Sequence, residues 1–312
     1  MRVFFALCCC TSLIAADFTP WFTGSLLSLP GHVVGNKKTN YQPYLYYTKD
    51  YGFYDNKWRK QSTPSTSVWN PQLLITRGFG NWFDFKIEPQ MFIKSEKGQT
   101  ATRFGDFPVV LGFQALNQTR GSWIPDLRIT LRESFPSGHH DRLNPAKLGT
   151  GGSGSGSYET SLGFNFQRLE HLFGIHYFRW RLNLVYTIPS PTHVDGFNVY
   201  GGGFSTNGTI YPGNHCFAIF AFEYNFNQNW VLACDFMQTY GNRTRFSGKP
   251  GRDQLGNPAR IGSPSSDTLS IAPALEYNFS KALGIIGGVW FSARGRNSED
   301  FISYVLSVNY FM

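Results

Sequence analysis

Between 82 and 94, apolar side chains take every second position, Phe83, Phe85, Ile87, Pro89, Met91 and Ile93, with Asp84, Lys86, Glu88 and Gln90 interleaved. Successive side chains of a strand point to opposite faces, so a period of two predicts a strand with one greasy and one charged face. The same alternation runs through 158–167, where Tyr158, Leu162, Phe164 and Phe166 oppose Glu159, Ser161, Asn165 and Gln167. It returns in 178–187, with Phe178, Trp180, Leu182, Leu184 and Tyr186 against Arg179, Arg181 and Asn183. Similar segments at 41–48, 68–77, 107–116, 126–135, 216–226, 230–240, 268–279, 283–294 and 302–312 bring the expected total to about twelve. Each is roughly ten residues long, the length of a tilted strand crossing a hydrocarbon layer.

The connections alternate in length. Short ones fall at 78–81, 168–173, 227–229 and 280–282, with a somewhat longer one at 117–124. Between them lie 52–64, 95–102, 136–156, 188–214 and 241–267. Tight periplasmic turns and long external loops are the asymmetry of bacterial outer-membrane barrels. An even strand count returns the chain to its starting side, which predicts both termini in the periplasm.

A β-sandwich also alternates, but its strands are usually about five or six residues and its inner face is apolar. Here the polar face carries full charges in mid-strand. The expected fold is all-β, a transmembrane antiparallel β-barrel of about twelve strands with short periplasmic turns and long extracellular loops. The expected lumen-lining residues are Asp84, Lys86, Glu88, Arg128, Arg132, Glu159, Arg179, Arg181, Glu223, Asp235 and Glu276. A wet or mutually paired interior lets opposite signs satisfy one another. Lipid outside demands closure, because every backbone donor and acceptor needs a partner there.

Composition agrees with this picture. Only 15% of the 312 residues are charged while 17% are aromatic, against about a quarter charged in ordinary soluble domains. Mean hydropathy is −0.26 and there is no run of about twenty apolar residues, so a helical span is excluded and strands must do the crossing. Residues 1–16, with Arg2 ahead of an apolar stretch and Ala15-Ala16 before Asp17, read as a cleavable signal peptide. A lipoprotein signal using Cys8, Cys9 or Cys10 lacks the small residues such processing prefers. Residues 17–38, with Trp21, Phe22, Leu26, Leu27 and Leu29, are expected to form either a periplasmic tail or a plug in the lumen, and 39–312 the barrel. Only Cys216 and Cys234 remain in the mature chain; a turn at 227–229 would set Cys216 opposite Tyr240 and Cys234 opposite Phe222, too far apart along the ladder to bond, so both are expected as free, outward-facing thiols and cysteine does not organise this fold.

The formal charge of +8 falls by one with Arg2. Part of the rest, Arg243, Arg245, Lys249, Arg252 and Arg260, sits in one external loop, expected to be solvated and open to attraction by anionic lipid headgroups. No nucleic-acid module surrounds it, so no nucleic-acid partner is expected. The run 149–156 is rich in glycine and serine but lacks the lysine and helix of a phosphate loop, and is expected to be a flexible external loop. His139, His140 and Asp141 make no closed coordination set, so neither metal nor cofactor is expected. Asp141, Asp195 and Asp267 in external loops leave a rim hydrolase as the third-ranked reading, and the chain is expected not to be an enzyme.

Several stretches resemble the outer-membrane proteins named for the meta pathway of phenol degradation. The carriers are Phe104-Gly105-Asp106, then Asp126-Leu127-Arg128-Ile129 running into Phe135-Pro136-Ser137-Gly138, the run 149–158 ending at Tyr158, and Ala272-Pro273-Ala274-Leu275-Glu276-Tyr277. The resemblance implies a barrel used for small-molecule uptake and supplies no catalytic residues. The expected function is an outer-membrane channel or transporter for small solutes, including small hydrophobic or aromatic molecules. The alternative is a structural or surface-interaction protein with a blocked lumen. Expected partners are outer-membrane lipid, a small-molecule solute and the barrel-assembly machinery. The last would read the terminal strand, where Ile302, Tyr304, Leu306, Val308, Tyr310 and Met312 share one face.

Overall fold

The computed structural model describes residues 20–119 and 121–312; the expected signal peptide lies outside them. The chain order is β1 (Thr39–Tyr54), β2 (Lys60–Phe79), β3 (Phe83–Ile87), β4 (Met91–Glu96), β5 (Gln99–Phe104), β6 (Phe107–Leu116) and β7 (Asp126–Phe135). It continues with a 3-10 turn (Pro145–Lys147), β8 (Glu159–Phe173), β9 (His176–Pro189), β10 (Thr192–Asp195), β11 (Asn207–Tyr211) and β12 (His215–Asn225). Last come β13 (Trp230–Gly241), β14 (Arg245–Lys249), β15 (Ser266–Asn278), β16 (Leu283–Arg296) and β17 (Ser298–Phe311).

A 14-stranded antiparallel sheet runs β1-β17-β16-β15-β13-β12-β9-β8-β7-β6-β3-β2-β4-β5, and the extra β1–β2 pairing closes it. Because β3 and β4 are halves of one interrupted strand, as are β5 and β6, the wall has 12 strands. Thr39 and Met312 exchange two backbone hydrogen bonds of 2.8 Å where first and last strands meet. The single strand expected over 82–94 breaks at 88–90, where Pro89 cannot donate to the ladder. The neighbouring strand breaks opposite it, and Gly105 N donates to Gln90 O at 3.0 Å across the gap.

Two of the expected long links are tight turns on overlong strands. β1 and β2 run on to Tyr54 and Lys60, leaving 55–59, and β4 and β5 meet at Lys97-Gly98. The Ser/Thr-rich stretch of β2 from Lys60 to Ser65 is exposed throughout, so these hairpins project beyond the apolar band. The three long connections, 136–158, 190–214 and 242–265, cover the same end. The second and third contribute a small sheet, β10-β11-β14, that the alternation does not predict.

Outward positions carry Leu45, Trp69, Phe85, Leu131, Phe164, Leu184, Phe220, Phe236, Leu275 and Leu306, all exposed. Water-soluble monomers rarely expose apolar surface continuous beyond a few hundred Å²; around a whole barrel this is a lipid-facing wall. Aromatic pairs ring its short-turn end: Phe83 with Phe113 (5.2 Å between ring centres), Tyr224 with Phe226 (5.4 Å), and Tyr277 with both Trp230 and Phe279 (4.8 Å each). Amphipathic rings favour the membrane interface. Cys216 and Cys234 are free and share the parity of this outer face, paired across the ladder with Tyr240 and Phe222 respectively.

Candidate functional site: a chamber above an N-terminal strap

Residues 21–38 lie inside the barrel as an extended strap that visits the wall strands nearly in barrel order. At its start Thr23 N donates to Glu276 Oε1, Gly24 N reaches Oε2 at 3.2 Å, and Asn309 Nδ2 donates to Thr23 O at 3.0 Å. Asp235 then accepts from Ser25 Oγ (2.8 Å), Leu26 N (3.0 Å), Leu27 N (3.4 Å) and Ser28 N (3.0 Å). Asn183 clasps Leu29 in both directions, accepting from its N–H at 2.9 Å and donating to its carbonyl at 3.0 Å. Further on, Gln114 accepts from Val33 N (2.8 Å), and Asp84 accepts from Val34 N (3.0 Å). An extended segment has no internal ladder, so its amides must find partners elsewhere. Here the inward side chains of β15, β13, β9, β6 and β3 supply them.

Packing reinforces this. Leu26 is 1% exposed and sits among Ala233, Ala272, Ala274, Ile286 and Val305, the small side chains leaving room for the leucine. Arg179 stacks over the Phe22 ring at 4.3 Å from its centre, a cation–π geometry.

The charged inner wall divides by height. Around the strap and outside the chamber's lining lie Asp84, Arg179, Arg181, Glu223, Asp235 and Glu276. Arg179 holds Glu223 in two bonds of 2.6 and 2.5 Å, with Arg181 at 3.5 Å from the same carboxylate. Arg128 likewise grips Asp84 at 2.5 and 3.2 Å, both side chains nearly fully buried. Gly112 makes room for that pair; a Cβ there would overlap both partners. Higher up, Glu88 is shared by Lys86 (2.5 Å) and Arg132 (3.3 Å). Glu159 is half-buried, at inward parity, at the long-loop end of β8.

Above the strap is a cavity of about 860 Å³. Leu27 and Leu29 of the strap line its floor, and Leu148, Gly149 and Thr150, from the connection after β7, line it too. Lys86, Glu88, Arg128 and Arg132 face it, joined by Asp50, Lys94, Glu96 and Glu299 nearer the long-loop end. The other expected lumen residues are not in its lining. Across the barrel, β12, β13 and β16 present Phe217, Ile219, Met237 and Trp290. The compartment therefore has a charged wall opposite an apolar one.

The chain shares its fold with a solved outer-membrane channel. The COG4313 outer membrane channel from Pseudomonas putida F1 superposes with a TM-score of 0.67 at 14% identity, over 91% of this chain and 99% of that one. The NanC porin (0.44, 10% identity, 86% and 98%) and a TodX monoaromatic hydrocarbon channel variant (0.39, 12%, 89% and 91%) align more loosely. No family model and no curated protein matches the sequence.

The connection after β7 is itself tied down. Asp106, in the break between β5 and β6, accepts from Gly138 N (2.9 Å) and Ser155 N (2.7 Å). Tyr200 OH donates to Ser155 O at 2.7 Å, and Leu143 N donates to Phe197 O at 2.8 Å. Burial pushes the Tyr200 hydroxyl up to about 12. The glycine-rich run 149–156 is thus a packed element whose first residues face the cavity.

Reading charges alone misses two groups of residues. Asn183, Gln114, Asn278 and Asn309 grip the strap without charge; their inward parity on predicted strands was the available signal. Phe217, Ile219, Met237 and Trp290 are apolar at inward positions, breaches of the alternation that mark the chamber's apolar side.

Proposed function

We propose that this chain is an outer-membrane channel for small amphipathic solutes, including aromatic ones carrying a charged group, with the chamber as its transit compartment. Its signal peptide is removed after residue 16, and the strap acts as a plug at the periplasmic end. The long loops face outward, and the terminal strand β17 is read by the barrel-assembly machinery. Lumen transit involves Lys86, Glu88, Arg128 and Arg132 directly, with the charges around the strap holding the plug.

The observation carrying this reading is the chamber. About 860 Å³ lies within the roughly 300–1,000 Å³ of sites that enclose small molecules. Its walls offer one ionic side and one apolar side, a match for a solute with both. A wide aqueous pore needs no such apolar wall. The aromatic part of the proposal draws support from Phe217 and Trp290, and the resemblance to the phenol-pathway family points the same way.

The test is uptake by proteoliposomes carrying the folded protein. Charged aromatic acids or amines should enter faster than sugars of equal size, and Trp290→Ala should narrow that preference. Equal rates for all solutes would refute the substrate class. No uptake of any solute, and no conductance with the plug deleted, would favour the alternative of a blocked barrel whose loops act at the surface.

A further inference from the structure

At the long-loop end the ladder between β12 and β13 gives way to the ladder between β11 and β14. The joint, formed by residues 211–214 and 242–245, leaves a cleft of about 410 Å³ lined by Tyr211, Asn214, Asn242, Arg243 and Arg245 among others. It lies on the outside of the barrel. Asn214 Nδ2 donates to the hydroxyl of Tyr186 (2.9 Å), and the hydroxyl of Tyr240 donates to Asn242 Oδ1 (3.2 Å). Both tyrosines are exposed at outward parity, so they tie the cleft to the upper edge of the lipid-facing wall.

Arg243 and Arg245 are exposed, and Lys249 follows Arg245 at the same parity on β14, a strand at the end of its sheet. Among the described residues none of the three has an ion-pair partner. Two unneutralised guanidinium groups beside two side-chain amides form a donor-rich concavity suited to a phosphate, which arginine recognises through paired N–H groups. Below the cleft, Cys216 lies in one row between Tyr186 and Tyr240, and Ala218 lies between Leu184 and Gln238. Small side chains between larger ones leave a shallow furrow below the cleft, two outward positions long and ended by the exposed ring of Phe220.

We propose that this cleft binds the phosphate of a phosphorylated lipid headgroup in the leaflet that the long loops reach, with an acyl chain in the furrow over Cys216 and Ala218. The inference rests on the proposed membrane orientation but not on transport. Its ligand is a lipid and not free phosphate because the donors sit at the hydrocarbon boundary, directly above a lipid-facing surface.

The experiment is native mass spectrometry of the detergent-solubilised full-length protein titrated with bisphosphorylated lipid A, the same lipid with its phosphates removed, and inorganic phosphate. The expected result is a discrete lipid A adduct, bound at least tenfold more weakly by R243A/R245A. That variant should keep its heat-modifiable migration, since both residues are exposed, while R252A/R260A binds as the parent does. The proposal is overturned if the double variant binds lipid A equally well, if the dephosphorylated lipid binds as tightly, or if inorganic phosphate alone competes it away. A protein that conducts solutes yet shows no preference for phosphorylated lipid would sink this inference and leave the channel reading standing.

Discussion

Asp235→Asn perturbs the strap at its most heavily bonded point. Each carboxylate oxygen serves two donors of the strap: Oδ1 the hydroxyl of Ser25 and the amide of Ser28, Oδ2 the amides of Leu26 and Leu27. Asparagine keeps one acceptor oxygen and turns an NH2 toward the other pair, so two donors lose their acceptor while the remaining bonds lose charge assistance. A buried donor left unpaired costs about 1–3 kcal/mol, and a bond to a charged group exceeds a neutral one by about 1 kcal/mol. Allowing for the long Leu27 contact and some relaxation, the strap should be held about 2–4 kcal/mol less tightly over 25–28, or roughly 30- to 1,000-fold in its local release equilibrium. Single-channel recording in planar bilayers reads this directly. Openings should become more frequent while the fully open conductance stays that of an Asp235→Asn variant that also lacks 17–34, because residue 235 faces the lumen once the strap has left. Asp235→Glu, which retains both acceptor oxygens, should fall between. Traces of Asp235→Asn indistinguishable from the parent, with the barrel folded, would show that these bonds do not hold the gate. A deletion of 17–34 that conducts no better than the parent would remove the strap from the account of closure altogether.

Other outcomes follow from the same geometry. Asp84→Ala strands the buried Arg128 guanidinium and should cost about 3–5 kcal/mol, seen as a lower midpoint in heat-modifiable gel migration; the double change with Arg128→Ala should recover part of the loss. Leu26→Ala should destabilise strap docking by about 2–5 kcal/mol, read as faster proteolysis of the N-terminal segment from the periplasmic side while the barrel stays protected. At the 55–59 turn, the Arg59 amide, with help from the Lys57 amide and the Arg59 and Gln61 side chains, draws the Asp55 carboxyl down from 3.8 to about 2. A depressed folded value means the turn's extra stability is complete above the ordinary value and disappears as pH falls through about 2. Amide exchange at Trp58 and Arg59 should therefore be protected at pH 5 and lose that protection near pH 2 beyond the intrinsic change, an effect Asp55→Asn abolishes.

Alternation along the sequence determined strand number, the face each side chain takes and the two unlike ends of the barrel, because a strand's side-chain period is two whatever its neighbours are. The pairings Cys216 with Tyr240 and Phe222 with Cys234 were legible for the same reason, since a short turn sets the register of the hairpin it closes. Mid-strand charges such as Asp84 and Glu223 were legible as inward groups. Their partners were not. Arg128 with Asp84 and Arg179 with Glu223 are 44 residues apart and meet only because intervening strands set register and shear. Tertiary structure alone chose the interior for the N-terminal segment: an extended peptide carries no periodicity that distinguishes a tail in water from a strap in a lumen, and the choice turns on acceptors from strands far away in sequence. It likewise decided that 149–156 packs against the chamber, since a glycine-rich run takes whatever path its distant hydrogen-bond partners impose. The chamber with its two unlike walls belongs wholly to barrel closure, which sets Lys86 of β3 and Met237 of β13, six strands apart around the wall, on opposite sides of a space that no local pattern encodes.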